Sequence, residues 1–297
     1  MRALFVLTPP ESKRFIAKAV ARLPEVKKAK EEGEIVIGHG STNVCVAEEI
    51  LGECPGREKY MSGLIVNRVL CVTQAEEKPP ILVLRKGLRV PPEPTMDEIL
   101  KSFGAGSVFI KGANAVDPAG NAGILVANPA GGTIGWSYGI LSARGSHLIV
   151  PVGLEKLVPS VRDAARACGQ HTLYYCQGIR VGMVPVVNAE VVTEIDAFRI
   201  LFGLDAVHVA GGGSNESQGS VVLVAEGGQP ELDRAIALIE SIKGEPPLRP
   251  RKSLCANCVP TVLPDRDRAA KEAVRSCAYQ GRQEDDLPAY MRPQQSA

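Results

Sequence analysis

The sequence predicts an α/β protein: a doubly wound, mostly parallel, Rossmann-like sheet with a second, smaller α+β domain. Three observations carry this. Short β-branched runs alternate with helical periodicity through the first half of the chain, the pattern of βαβ units that pair their strands in parallel. One of those strands, 34–37, runs through a glycine turn directly into a helical face. Beyond residue 172 the rhythm changes to strands gathered around two helices.

Taken in order, residues 10–23 carry Ile16, Ala19, Val20 and Leu23 at helical spacing behind Pro9 and Pro10, which suit the first turn of a helix. Glu34 to Ile37 is the β-branched strand, Gly38-His39-Gly40-Ser41-Thr42 is the turn, and Val44, Ala47 and Leu51 mark the helix after it. Further strands are expected at 63–72, 81–85, 107–111, 123–127 and 147–152, with helices at 95–103, 133–143 and 158–168. These make a ligand-binding domain over residues 1–171. Strands at 183–192, 205–210 and 219–225 around helices at 194–202 and 230–242 make a small lid-like α+β domain over 172–246. Leu232, Ala235, Ile236, Ile239 and Ile242 form the buried face of its last helix. After Gly244-Glu245-Pro246-Pro247 the chain turns basic, proline-rich and sparse in apolar residues, so 247–297 reads as an irregular cysteine-containing tail.

The chain has 297 residues, 45% hydrophobic and 23% charged, enough to bury a full core. Its net charge of +1 comes from mixed signs, which provides no field to draw in nucleic acid or an anionic membrane. Any anion site must then be local. The start, MRALFVLTPPESKR, has no export signal, and no apolar run reaches membrane-spanning length, so a cytoplasmic protein without membrane partners is expected. Eight cysteines, at 45, 54, 71, 168, 176, 255, 258 and 277, are too sparse for a disulfide scaffold.

Two segments offer an anion site. In Gly38, His39, Gly40, Ser41, Thr42 and Asn43, glycines admit a ligand close to the backbone while the helix start presents free N–H groups and hydroxyls. The alternative is an ordinary tight turn with a Ser/Thr cap. In the run 108–135, a strand ends in Lys111-Gly112-Ala113-Asn114, Asp117 follows, and a glycine-rich stretch reaches Gly131, Gly132 and Thr133 near a helix start. Lys111 would neutralise an anion, and Asn114 and Asp117 would orient hydroxyls. Lys111 and Asp117 are the candidates nearest chemistry. Against this, Asp117-Pro118-Ala119-Gly120-Asn121 also suits a reverse turn with Lys111 solvated. GGGSNESQGS at 211–220 reads equally as a third anion loop or a hairpin connection, and His208 before it as a structural histidine.

Cys255-Ala256-Asn257-Cys258, with Cys277 behind, offers thiolates to zinc or an iron–sulfur cluster. No second such pair follows, so a complete set would recruit Cys168, Cys176 or a partner chain. No other cofactor is indicated.

IVIGHGSTN, FIKGANAVDPAGN and HLIVPVGLEKLV resemble, in order and spacing, the superfamily of ribose-5-phosphate isomerase, glucosamine-6-phosphate deaminase, CoA transferases and the sugar-sensing domains of deoxyribose-operon-type repressors. The stretch LVLRKGLRVPPEPTMDEILKSFGAGSVFIKGANAVDP is most similar to those sensor domains. The resemblance spans about residues 10–165 in outline. It implies a phosphorylated or carboxylated small molecule as ligand and an oligomer of identical chains. The sequence departs from the isomerases at their acidic stretch, where it has Lys111-Gly112-Ala113-Asn114-Ala115, and at their proton-shuttling glutamate, because NPAGGTIGWSYGILSARG contains no acid. The CoA-transferase alternative needs a nucleophilic glutamate, for which Glu226 in VAEGG is the nearest fit. Missing carboxylates favour a non-catalytic metabolite sensor. The lid-like unit, and the lack of a DNA-binding helix-turn-helix, tip the expectation toward an isomerase-like enzyme.

Overall fold

The structure, a computed structural model, describes residues 1–73, 77–91, 94–258 and 277–292. It is a mixed α/β protein. The chain opens with strand β1 (Arg2–Leu7) and helix α1 (Pro9–Val20). Two prolines begin α1, and the Thr8 N–H donates to Glu11 Oε2 at 2.8 Å, so the side chain three residues into the helix closes its open end. Next come α2 (Pro24–Glu32), β2 (Glu34–Ile37) and α3 (Ser41–Leu51), then the hairpin β3 (Gly63–Val66) and β4 (Val69–Val72). After these lie β5 (Leu82–Arg85), β6 (Leu88–Arg89), α4 (Met96–Ser102), β7 (Val108–Ile110), β8 (Ala115–Val116), β9 (Ala122–Val126), α5 (Gly132–Arg144), β10 (His147–Pro151) and α6 (Val161–Ala167). The last part holds β11 (Gly182–Val186), β12 (Glu190–Val192), α7 (Glu194–Phe202), β13 (Asp205–Gly212), β14 (Ser220–Glu226) and α8 (Gln229–Ile242).

The central sheet has six strands in the order β12-β10-β7-β2-β5-β6. β12, β10, β7 and β2 run parallel, while β5 and β6 are antiparallel. The parallel strands are short and buried on both faces, as such sheets require: Ile35, Val36, Ile37, Val108, Phe109, Ile110, Ile149 and Val150 are all fully enclosed.

The expected boundary at 171/172 does not separate two units. β1, from the start of the chain, pairs antiparallel with β14, and β14 with β13. Residues 183–192 are two strands in different sheets: β11 pairs with β9, and β12 is an edge of the central sheet. A single core joins all of these, with Phe5 and Phe15 packed on Phe198, so 172–246 is not a detached lid. α1 is the hub, packing on α3, α7, α8, β10 and β12.

Half-buried charges lock this arrangement. Arg14 of α1 bonds Glu48 and Glu49 of α3 and also Glu245 after α8, and Arg57 reaches Glu48 at 2.7 Å. Burial alone would raise the Glu48 pKa, but the guanidinium groups of Arg14 and Arg57 outweigh it and hold the carboxyl below its ordinary value.

The described part of the tail is not loose. Ser253 donates its N–H to Val72 O, Asn67 Nδ2 donates to Met291 O, and Val69, Cys255, Tyr279, Leu287 and Met291 form a second small core against the β3–β4 hairpin. Among the described residues no helix is long and apolar enough to cross a membrane.

Candidate functional site

The parallel strands β2, β7, β10 and β12 all end on one side of the sheet, the edge where open α/β sheets place ligands. Pairing continues past the strands, since Gly38 N–H donates to Ile110 O (2.8 Å) and Lys111 N–H to Ile149 O (2.9 Å). Gly38 and Lys111 are thus neighbours at the edge. A Cβ on Gly38 would stand 3.1 Å from Lys111 Cδ and 3.3 Å from Ile110 O, so the glycine lets the lysine side chain lie across this strand end. α3 begins at Ser41, directing its free N–H groups to the same side. Asn43 is fully buried and ties two strand ends together, donating from Nδ2 to Gly38 O (2.7 Å) and Ile110 O (3.3 Å).

After β10 the chain makes one tight turn over Leu154–Lys156, which brings Glu155 and Lys156 to this edge. After β12, Thr193 caps α7, whose first residue, Glu194, is fully buried and accepts the Leu154 N–H on Oε2 at 2.9 Å. α1 adds Ser12 and Lys13 from above. Lys156 is thus within electrostatic reach of both Lys13 and Lys111, and Glu155 of both Lys13 and Glu194.

Their electrostatics follow from enclosure. Burial, reinforced by Lys156, pushes the Lys111 pKa down to about 8. Lys13 is lowered by burial and by Lys156, partly offset by Glu155 and Cys45. Among the described residues neither Lys13 nor Lys111 forms an ion pair; the only hydrogen bond of Lys111 Nζ is a long one, 3.5 Å, to Gly112 O. Burial first, and the Glu155 charge second, push Glu194 up to about 7. Ser12 lies beside Glu194 and acts the other way, but no well-aligned hydrogen bond closes between them. Among the described residues the buried atoms Ser12 Oγ, Asn43 Oδ1, Glu155 Oε2 and Glu194 Oε1 have no hydrogen-bond partner. Such orphans are rare in folded proteins and call for a functional account.

The other expected ligand residues divide. Ser41 and Thr42 sit in the first turn of α3, at the lysine edge. His39 is held away from cation chemistry: Nε2 bonds Pro79 O at 2.7 Å, the ring packs on Tyr60, and burial drives its pKa down to about 4 against the pull of that bond. Gly40 is not sterically required, because its backbone is extended and an added Cβ would meet nothing closer than 3.9 Å. Gly112 follows Lys111, with Asn43 Oδ1 4.0 Å from where its Cβ would stand. Asn114 is exposed and its Oδ1 accepts the Leu125 N–H. Gly131 and Gly132, both in the left-handed region, and Thr133 form the start of α5, whose hydrogen bonds close on residues 128–137 themselves.

Asp117, expected beside Lys111 nearest the chemistry, is instead saturated with hydrogen-bond donors. Its carboxylate accepts N–H groups of Ala119, Asn121 and Val161 and the Asn121 side-chain amide, at 2.9–3.1 Å. Burial would raise its pKa, yet these donors overcome that and hold it low. It pins a turn to α6. The cleft of about 580 Å³ beside it, lined by residues such as Leu154, Ile195 and His208, holds none of the three lysines. Glu226 is exposed at the end of β14 and paired with Arg2 at 2.8 Å. The 211–220 loop is a hairpin connection between β13 and β14.

Lys13, Glu155, Lys156 and Glu194 escaped the sequence reading. Glu155 and Lys156 follow an apolar strand much as Lys111 does, and that shared position was a usable signal. Lys13 and Glu194 carry none, being ordinary polar residues of amphipathic helices.

One group of side chains in the described residues has three ligand atoms close enough for a single ion: Cys45, Glu48 and Glu245. Both carboxylates are already neutralised by Arg14, and burial pushes the Cys45 thiol up to about 11, so a cation's place there is taken. Of the expected metal ligands, Cys255 is buried and Cys258 and Cys277 are half-buried.

Comparison of the chain with protein-family models, with curated proteins and with solved structures finds no match.

Proposed function

We propose that this protein is an isomerase-like enzyme that binds a small phosphorylated or carboxylated metabolite at the carboxyl edge of β2, β7, β10 and β12. The observation that carries the reading is that Lys156 lies within electrostatic reach of both Lys13 and Lys111, neither of which is paired to a carboxylate among the described residues. Both are half-buried, and even partial enclosure of an unpaired ammonium is costly, a cost that an anionic ligand offsets. The Gly38 notch and the α3 N-terminus add room and donors for the same charge. Glu194, with its pKa near 7, suits a proton shuttle at a carbon beside a carbonyl, with Glu155 tuning it and the lysines stabilising the oxyanion that forms. This supplies the acid that the resemblance to ribose-5-phosphate isomerase left without a counterpart. In the same reading the four parallel strands are the core of a doubly wound, Rossmann-like sheet.

The test is a thermal-shift and calorimetry screen with inorganic phosphate and a panel of aldose and ketose phosphates, followed by NMR of any bound compound. Lys111→Met should weaken binding by about 10-fold or more, the loss of one charge-assisted contact. Glu194→Gln should bind as the parent does and convert about 100-fold more slowly. Binding indifferent to Lys111→Met overturns the site. Tight binding without conversion of any compound turns the reading to a metabolite sensor.

A further inference from the structure

The tail cysteines meet others that the sequence places far away. Leu70 of β4 donates its N–H to Gln177 O and accepts the Ile179 N–H at 2.9 Å, which lays the 176–179 segment beside Cys71. Ile179 in turn forms an antiparallel bridge with Cys277. Farther along the same edge of β4, Ser253 donates both its N–H and its hydroxyl to Val72 O, at 3.2 and 3.1 Å, which fixes Cys255 two residues later. Cys258 N–H then donates to Cys255 O, and Gly281 N–H reaches the same oxygen at 2.7 Å, folding the 277–281 turn over it. Cys71, Cys255, Cys258 and Cys277 come within charge–charge reach: Cys71 feels Cys255 and Cys258, and Cys277 feels Cys71, Cys255 and Cys176. Five backbone bonds and a bridge, not one spacing motif, bring them together.

We infer that Cys71, Cys255, Cys258 and Cys277 are the four ligands of an iron–sulfur cluster of the [4Fe–4S] class. A single zinc holds sulfur at about 2.3 Å, so its ligands stand within about 4 Å of one another. Among the described residues no three of these sulfurs come within 4.8 Å of each other, and the wider spacing suits a cluster in which each thiolate holds a different iron. The surroundings fit a buried cluster carrying net negative charge. The Lys252 side chain, 6% exposed, places Nζ 3.5 Å from Cys255 Sγ and 3.4 Å from Glu284, whose carboxylate also accepts the Cys255 N–H, and the Tyr279 N–H points at Cys277 Sγ at 3.5 Å. Hydrogen bonds to sulfur and a neighbouring cation stabilise the reduced state. Leu287, Met291 and Tyr279 cover the site with apolar surface. Cys176 is spoken for, its thiol donating to Gly178 O at 3.0 Å, and stays outside the ligand set.

The test is the full chain expressed with iron and purified without oxygen, with iron, zinc and acid-labile sulfide measured per chain and the visible spectrum followed on dithionite reduction. About four irons and four sulfides, with visible absorption that bleaches, are expected. Cys71→Ser and Cys258→Ser should each lose most of the iron and sulfide, and Cys168→Ser should keep both. The metal content of the parent alone already decides if a variant fails to fold. One zinc without sulfide, no metal, or full iron retention in Cys71→Ser would overturn the inference.

Discussion

Replacing Glu194 by Gln removes one buried carboxyl and keeps an oxygen for the Leu154 N–H, so its effect isolates the charge. The carboxyl stands at about 7 instead of 4.5 because it is fully buried and faces Glu155. At ~1.36 kcal/mol per pH unit, that rise corresponds to about 3 kcal/mol. Below the ordinary carboxyl range both folded and unfolded chains hold the proton and nothing is lost. As pH rises toward 7 the unfolded chain ionises while the folded one does not, and the parent loses stability until ionisation of Glu194 in the fold completes the cost. Glu194→Gln should therefore match the parent at about pH 4 and exceed it by about 3 kcal/mol at about pH 8. Urea unfolding at both pH values, read as the difference between variant and parent, measures this. Glu190, which burial and Glu25 also push up to about 7, titrates in the same window but is common to both proteins and drops out of the difference. A stability difference that does not change with pH would refute the assignment of a raised pKa to Glu194, and with it the case for this residue as the proton shuttle.

Gly38→Ala should weaken phosphate binding severalfold by pushing Lys111 Cδ aside, whereas Gly40→Ala, whose added carbon meets only the Asn43 side chain at 3.9 Å, should bind as the parent does; calorimetry of the pair checks that steric argument. Asp117→Asn should lower stability by about 2 kcal/mol through the loss of charge-assisted acceptors, seen as a shifted denaturation midpoint, and leave ligand affinity and turnover unchanged. The stability that Asp117 contributes is present above its ordinary pKa of 3.8 and is lost as pH falls through its lower folded value, so the gap between this variant and the parent should close in acid.

How much was legible depended on how local the encoding is. The unit from Glu34 to Leu51 and the face of α8 could be read directly, because a strand, a glycine turn and a helix declare themselves within a few residues. Lys111 could be placed at a strand end for the same reason. The run 63–72 reads as one strand but is a hairpin, since its turn uses Asn67 and Arg68, both at positive φ, with no glycine to announce it. Asp117 has the composition of a site residue and the bonds of a turn residue, and only its partners tell the two apart. β1 has an apolar pattern of its own, but its partner lies at the far end of the chain, and no periodicity names a partner.

By itself, then, the sequence determined the α/β class, the order of its main elements and the glycine turn at which an anion is expected, all of which rest on patterns a few residues long. The tertiary structure decided the rest. It folded 172–246 into the main core, it brought Lys156 within electrostatic reach of both Lys13 and Lys111 and Glu155 against Glu194, and it carried Cys71 to the cysteines of the tail. The physical reason is that a site of this kind is made by burial and by charges held close together, and both are properties of contacts that form only when distant parts of the chain pack.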